Sequence, residues 1–300
     1  MSILPCAVRT DPQGRELIRH GTALFPAACY HDRLDLAPVP WHWHDEWEAA
    51  VLWRGSALVA VEGEKRVLRR GEGFFINAGV LHAAWDHAGS ACQFHSVVFH
   101  PRLVGGGVDS VFWQKYVQPL LEGGAPRGVF LDRSARWHRE ALEAVEAAWQ
   151  ACGSEQPGYE FSVRAALSRL VLQLERYPRP SAEPPPTEKA LRDGERIRTM
   201  IQFIQAHCGE ELTAAQIAAS AAVSESECLR CFRAAIGVPP MQYLRQLRLQ
   251  KAAELLQTTQ LRIADVGARC GFQDASYFTK TFREWKGCSP VAYRRKKGGT

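Results

Sequence analysis

The twelve residues FRAAIGVPPMQY, 232 to 243, return in altered form as FREWKGCSPVAY, 282 to 293. At this offset of 50, Phe232 matches Phe282, Arg233 matches Arg283, Gly237 matches Gly287, Pro240 matches Pro290 and Tyr243 matches Tyr293. Upstream the offset is 49, pairing Leu212 with Leu261, Ile217 with Val266 and Val223 with Phe272, so the second copy carries a one-residue insertion. A repeat of this length constrains the fold strongly, because each copy must be a similar small helical unit with an apolar face to bury. The segment that joins them, MQYLRQLRLQKAAELLQ, has no Gly or Pro and reads as one long helix.

Each copy has the punctuation of a helix, a tight turn and a second helix. Thr213 with Gln216 and Ser224 with Glu227 stand at capping-box spacing, which predicts helices from about 214 and 225 around the turn Ala-Ala-Val. In the second copy IADVGARC leads into a turn at Gly271 and a helix starting near Asp274, with Gln273 as the available weak cap. Two such units on one connecting helix can set recognition helices into successive major-groove segments, roughly 34 Å apart. Phe232, Phe278 and Phe282 fall at core spacing, and Glu227 is expected to cap its helix. Arg233 and Arg283 suit phosphate contacts or a charged surface, and the tail Arg294 to Lys297 a solvated basic run.

The charge distribution agrees. The net charge is +5, and the imbalance is local: residues 1–189 carry 20 basic and 22 acidic side chains, residues 190–300 carry 17 and 10. An anionic partner such as nucleic acid is therefore expected at the C-terminal part. The break is marked by YPRPSAEPPPTEK, residues 177 to 189, whose prolines exclude helix and strand. The organisation expected is a first domain over 1–177, a Pro-rich linker over 178–193 and a DNA-binding domain over 194–300.

Residues about 25 to 100 alternate short apolar runs with Gly-containing turns, as an antiparallel barrel or sandwich does. Two amphipathic helices should close that domain. One carries Leu142, Val145 and Trp149, the other Val163, Leu167, Leu170, Val171 and Leu174; they pack on the barrel or on a partner in a homodimer. The nine cysteines are scattered and odd in number, which reads as reduced thiols, mostly buried. Cys228 and Cys231 form one C-x-x-C whose bland reading is core packing and whose sharper reading is a redox sensor. The N-terminus lacks a signal peptide's basic start and apolar core, and no apolar run has membrane-spanning length, so a cytoplasmic protein without membrane contact is expected.

LTAAQIAASAAVSESECLRCFRAAIGVPPMQYLRQLRLQKAAELL and LRIADVGARCGFQDASYFTKTFREWKGCSPVAYR together make residues 194 to 295 similar to the DNA-binding domain of the AraC/XylS family of bacterial transcription regulators. The resemblance implies that Ser226, Leu229 and Arg230 face bases on the first recognition helix, and Ala275, Ser276, Thr279 and Lys280 on the second. It also implies a sensed small-molecule effector and opens contact with RNA polymerase. Two departures stand out: Ala222 occupies a turn position where the family usually has Gly, and Arg262 one where a capping Ser or Thr is common.

WHWHDEWEAAVLWRG, residues 41 to 55, and GEGFFINAGVLH, ending at His82, resemble the two cupin motifs, with Asn77 where a proline is common. Residues two apart on a strand share a face, so His42 and His44 point the same way. With Glu48 and His82 they form either a polar effector pocket or a set able to hold Fe, Mn, Ni or Zn. No other cofactor is indicated. The fold expected is α+β and multidomain: a cupin-like β-barrel with amphipathic helices, then an all-α domain with two helix-turn-helix units. Without a nucleophile elbow, phosphate loop or dinucleotide fingerprint, the chain reads as a regulator rather than an enzyme. The rival reading is a metal-dependent cupin enzyme or metal sensor fused to a DNA-binding module.

Overall fold

The computed structural model describes residues 3–5, 8, 10, 15–62, 64–122, 125–177, 188–236 and 238–295. Two compact units divide the chain, Met1–Arg192 and Asp193–Thr300. The Pro-rich residues 178–187, Lys296 and Lys297 of the basic tail, Cys6 and Gly237 lie outside the described residues.

The first unit is built on strands β1 (Leu4–Pro5), β2 (Ala27–Arg33), β3 (Val39–His42), β4 (Trp47–Arg54), β5 (Ser56–Val61), β6 (Glu64–Arg69), β7 (Gly73–Ile76), β8 (His82–Asp86), β9 (Gln93–Phe99) and β10 (Gly128–Leu131). They form a six-stranded sheet in the order β1-β2-β9-β4-β7-β10 and a four-stranded sheet in the order β3-β8-β5-β6. Between β9 and β10 run α1 (Arg102–Gly105), a π-helical turn (Trp113–Val117) and α2 (Gln118–Leu121). The alternating sequence predicts the strands from Ala27 to Phe99, but neither β1, which lies before that stretch, nor β10, a short run beyond an irregular stretch.

Period-two alternation gives the six-stranded sheet two buried faces. Ala50 and Leu52 of β4, Phe74 and Ile76 of β7 and Phe94 of β9 point inward, where they meet Ala57, Val59 and Val61 of β5 and Leu68 of β6. Trp47, Ala49, Phe75, Val97 and Phe99 point the other way, against α3 (Arg136–Ser154) and α4 (Tyr159–Leu174). Leu142 and Val145 of α3 and Val163, Leu167, Leu170, Val171 and Leu174 of α4 are buried in that second core. Trp149 stacks on His95 with ring centroids 3.6 Å apart, while its indole N–H donates to the Tyr30 carbonyl at 2.8 Å. The reduced-thiol expectation fails for one pair: Cys29 of β2 and Cys152 of α3 form a disulfide across this sheet–helix interface. Their sequence separation of 123 left no spacing signal to read. Cys92, Cys208, Cys228, Cys231 and Cys270 are buried free thiols and Cys288 is half-buried.

The second unit is helical: α5 (Glu188–His207), α6 (Ala214–Ser220), α7 (Glu225–Ala235), α8 (Pro240–Thr258), α9 (Ile263–Arg269), α10 (Ala275–Lys286) and α11 (Pro290–Arg295). Helix α5 begins at Glu188, inside the stretch expected to be linker, because no proline follows Pro186 until Pro239. The duplication shows in the cores: Phe232 contacts Tyr243 at 5.8 Å and Phe282 contacts Tyr293 at 5.4 Å. It shows again in the turns, where Val223 N donates to Ala218 O at 3.1 Å and Phe272 N to Gly267 O at 3.0 Å.

Thr213 and Gln216 make the reciprocal capping box, and the Ser224 hydroxyl accepts from Glu227 N. The Glu227 carboxylate binds Arg230 and Arg196, where the sequence suggests a cap. The cap of α10 is Asp274, which accepts from Tyr277 N at 2.5 Å, and not Gln273. A carboxylate at the Ncap position itself satisfies an N–H that the residue before it does not reach. Arg262 supplies no side-chain cap to α9. Ala222 sits at φ 52°, the left-handed region that Gly271 fills at φ 80° in the second turn. Ala222→Gly is therefore expected to stabilise the second unit by about 1 kcal/mol. Chemical denaturation that shows no gain would mean the first turn relaxes at no cost.

Candidate functional site

The extended β3, its irregular register with β8 and the chain entering β4 bring His42, His44, Glu48 and His82 together. His42 lies directly across from His82 in the strand pairing, and Glu48 faces inward between its neighbours Trp47 and Ala49, which face the helices. One ligand atom from each of the four lies within 4.8 Å of the others. The three histidines are each 3% exposed, so water does little to satisfy them.

Each imidazole is oriented through Nδ1. His42 donates to Pro40 O at 2.9 Å, His44 to Glu46 O at 3.0 Å and His82 to Val80 O at 2.8 Å. A carbonyl oxygen only accepts, so these bonds fix the Nδ1–H form and direct three Nε2 atoms to the centre. There His44 Nε2 stands 3.2 Å and His82 Nε2 3.0 Å from Glu48 Oε2. A bare nitrogen lone pair facing a carboxylate is repulsive, so both contacts call for a proton or another cation. Burial, with the charges of His82 and His44, holds His42 well below the ordinary imidazole range. Burial also opposes charge on His44, but the hydrogen bond and field of Glu48 prevail and raise it. Glu48 lies well below the carboxylate range: burial pushes it up, and the bonds to His44 and His82 outweigh that push.

Two further residues belong here that no motif reveals. Glu16 is anchored by its backbone N–H to Trp43 O at 2.8 Å, and its Oε2 lies 3.0 Å from His20 Nε2 and 3.8 Å from His42 Nε2. His20 meets the Tyr30 hydroxyl at 2.8 Å through Nδ1, with its ring 5.3 Å from that of His44. Their segment is neither helix nor regular strand, so periodicity gives no signal. Trp41 is buried edge-on against Trp85 at 5.9 Å, and Trp47 faces the helices. Beside the quartet a cavity of about 20 Å³, bordered by Glu48, His82, Asp32, Phe74 and Phe94, has room for a water or an ion.

On the second unit, Ser226 and Arg230 are exposed and Leu229 is half-buried on one face of α7. On α10, Ala275, Ser276 and Lys280 are exposed and Thr279 is half-buried. Tyr277 is 52% exposed, although an aromatic next to Phe278 reads as core. Phe232, Phe278 and Phe282 are fully buried, as their spacing implies. Arg230 is not a free cation: Nε donates to Glu227 at 2.8 Å, and Nη2 donates to Glu227 at 2.6 Å and to Asp193 at 2.7 Å. These bonds, Glu227 first, raise its affinity for its proton still further. Cys228 and Cys231 are buried in the core of the same helix, and burial pushes the Cys228 thiol up to about 11. A thiol so placed is a poor nucleophile at neutral pH, which favours the packing role.

A buried polar site inside a two-sheet domain, followed by paired helix-turn-helix units with exposed polar faces, defines the class: ligand-binding regulators of transcription. The comparisons with known proteins agree. Residues 25–171 match the model of the AraC-like ligand binding domain and residues 217–296 that of a helix-turn-helix domain. The uncharacterised HTH-type transcriptional regulator YdeC of Bacillus subtilis is 28% identical over 295 residues, covering 95% of this chain and 97% of its own. The HTH-type transcriptional activator RhaR of Enterobacter sp. is 26% identical over 257 residues, 85% and 86% of the two chains. Among solved structures, an AraC-type transcriptional regulator from Chromobacterium violaceum matches at 29% identity over 35% of this chain and 93% of its own, with a TM-score of 0.33. This chain belongs to the AraC/XylS family: it is a transcriptional regulator with an N-terminal ligand-binding domain and a C-terminal DNA-binding domain. Among the described residues no helix is long and apolar enough to cross a membrane.

Proposed function

We propose that this regulator responds to a ligand bound at His42, His44, Glu48 and His82, and that a divalent transition metal ion is that ligand or its anchor. One observation carries the reading: three Nε2 atoms, their Nδ1 partners already committed to carbonyls, face a carboxylate in a buried space. That donor set, three imidazoles and one carboxylate, suits Fe, Mn, Ni or Zn. Bound there, the ion would supply the positive charge these contacts call for and would offer an organic effector a Lewis-acidic anchor. The full-length relatives are regulators, which favours a sensor over an enzyme. Working in the cytoplasm as a homodimer, the protein would read promoter DNA with Ser226, Leu229, Arg230, Ala275, Ser276, Thr279 and Lys280 and act on RNA polymerase.

The test is elemental analysis of tag-free protein beside a His42→Ala/His44→Ala variant. Near-stoichiometric metal that disappears in the variant is expected. Metal absent from both, after incubation with divalent ions, would reject the metal and leave a polar pocket for an organic effector, the second reading that the convergent polar groups support.

A further inference from the structure

The guanidinium of Arg230 has five N–H donors, and the second unit uses three of them internally. Nε–H and one Nη2–H hold the Glu227 carboxylate side-on, and the other Nη2–H holds Asp193. Asp193 lies on α5, and Arg196 of the same helix ties the two acids together, at 3.3 Å from Asp193 and 3.4 Å from Glu227. Arginine chelates guanine O6 and N7 with donors on two different nitrogens, either Nε with Nη2 or Nη1 with Nη2. Glu227 blocks the first pair. Asp193 blocks the second, because it takes the last proton of Nη2. With both acids in place only Nη1 is left for DNA, and one nitrogen makes a single contact rather than a fork.

We propose that Asp193 is a specificity-determining residue for DNA: its ion pair with Arg230 withholds the guanidinium fork, and release of that one bond restores it. The proposal rests on Arg230 facing bases. Two consequences are specific to the geometry. Losing Asp193 suffices to free the Nη1–Nη2 edge while Glu227 keeps its side-on grip, and the gain depends wholly on Arg230. Because Asp193 belongs to the helix that follows the Pro-rich stretch, displacement of α5 by one side-chain length would switch the readout without moving α7. The pair is exposed enough, with side chains 43% and 21% accessible, for DNA to compete with it.

The experiment selects binding sites from a randomised duplex library with the full-length wild type, Asp193→Ala, Arg230→Ala and the double variant. Asp193→Ala is expected to gain preference for guanine at one position in the half-site read by α7, on the order of tenfold. The double variant should lack that gain. Unchanged preference in Asp193→Ala, with relaxed preference in Arg230→Ala, overturns the Asp193 proposal and leaves Arg230 a base reader. A guanine gain that persists in the double variant shows that Arg230 does not read the base and overturns both. Circular dichroism of each variant identifies any loss caused by unfolding, and Asp193→Leu, which keeps much of the shape without an acceptor, must then show the same guanine gain for the proposal to stand.

Discussion

Gly271→Ala is expected to destabilise the second unit by about 2 to 4 kcal/mol, combining left-handed backbone strain with overpacking. At φ 80° an L-residue is strained before any neighbour is considered. The new Cβ would also stand 2.6 Å from the Cys208 carbonyl oxygen and 2.8 Å from Arg248 Nε. Neither can yield easily, since Arg248 donates Nε–H to that carbonyl at 2.7 Å and an Nη2 proton to Glu210 O at 2.6 Å. The turn of the second helix-turn-helix therefore closes directly onto the end of α5, and the substitution separates them. Urea denaturation of the full-length protein checks the size, and a loss below about 0.5 kcal/mol would show that the loop after α5 moves aside freely. The opposite sign expected for Ala222→Gly, at the matching place in the first turn, makes the two variants a reciprocal pair.

Asn77→Ala is expected to cost about 3 kcal/mol in the first unit, and Asn77→Pro more. The Asn77 side chain is buried and does four things: Oδ1 accepts from the Trp47 indole at 2.6 Å and from Ala78 N at 2.8 Å, and Nδ2 donates to Leu120 O and to Pro126 O at 3.2 Å. Alanine strands the Trp47 N–H in the core, and a buried unsatisfied donor alone costs about 1 to 3 kcal/mol. Proline, the residue common at this place in the cupin pattern, also removes the Asn77 N–H that donates to Arg127 O at 3.0 Å. Thermal unfolding should rank wild type above Asn77→Ala above Asn77→Pro. Equal stability of the two variants would mean that the backbone bond contributes nothing.

Elements whose information is local could be read directly. The Phe232–Tyr243 repeat, the Thr213 and Ser224 caps and the strand alternation each need only a short window, and all have direct counterparts in the structure. The His42, His44, Glu48 and His82 quartet was legible because two motifs carry it. Glu16 and His20 were not, since they reach the same centre from an irregular segment. Cys29 with Cys152, and Arg230 with Asp193, depend on tertiary approach between residues with no common motif. The start of α5 escaped for a different reason: a proline-rich boundary says where helix cannot begin, and not how soon after it helix resumes.

The six-stranded sheet is a common wall between two cores. On β4, Glu48 reaches the histidine site while Trp47 and Ala49, its immediate neighbours in the chain, press on the layer that contains α3 and α4. The histidine side and the helix side are thus one peptide unit apart, less than 4 Å along the backbone. If an ion binds there as proposed, a shift of Glu48 to follow it would have no slack in which to dissipate, for Trp47 is completely buried and its indole is pinned to Asn77. Under the proposal the strand would act as a rocker with no intervening gear, and the stiffness of the helix layer on its far side would be part of what ligand binding works against.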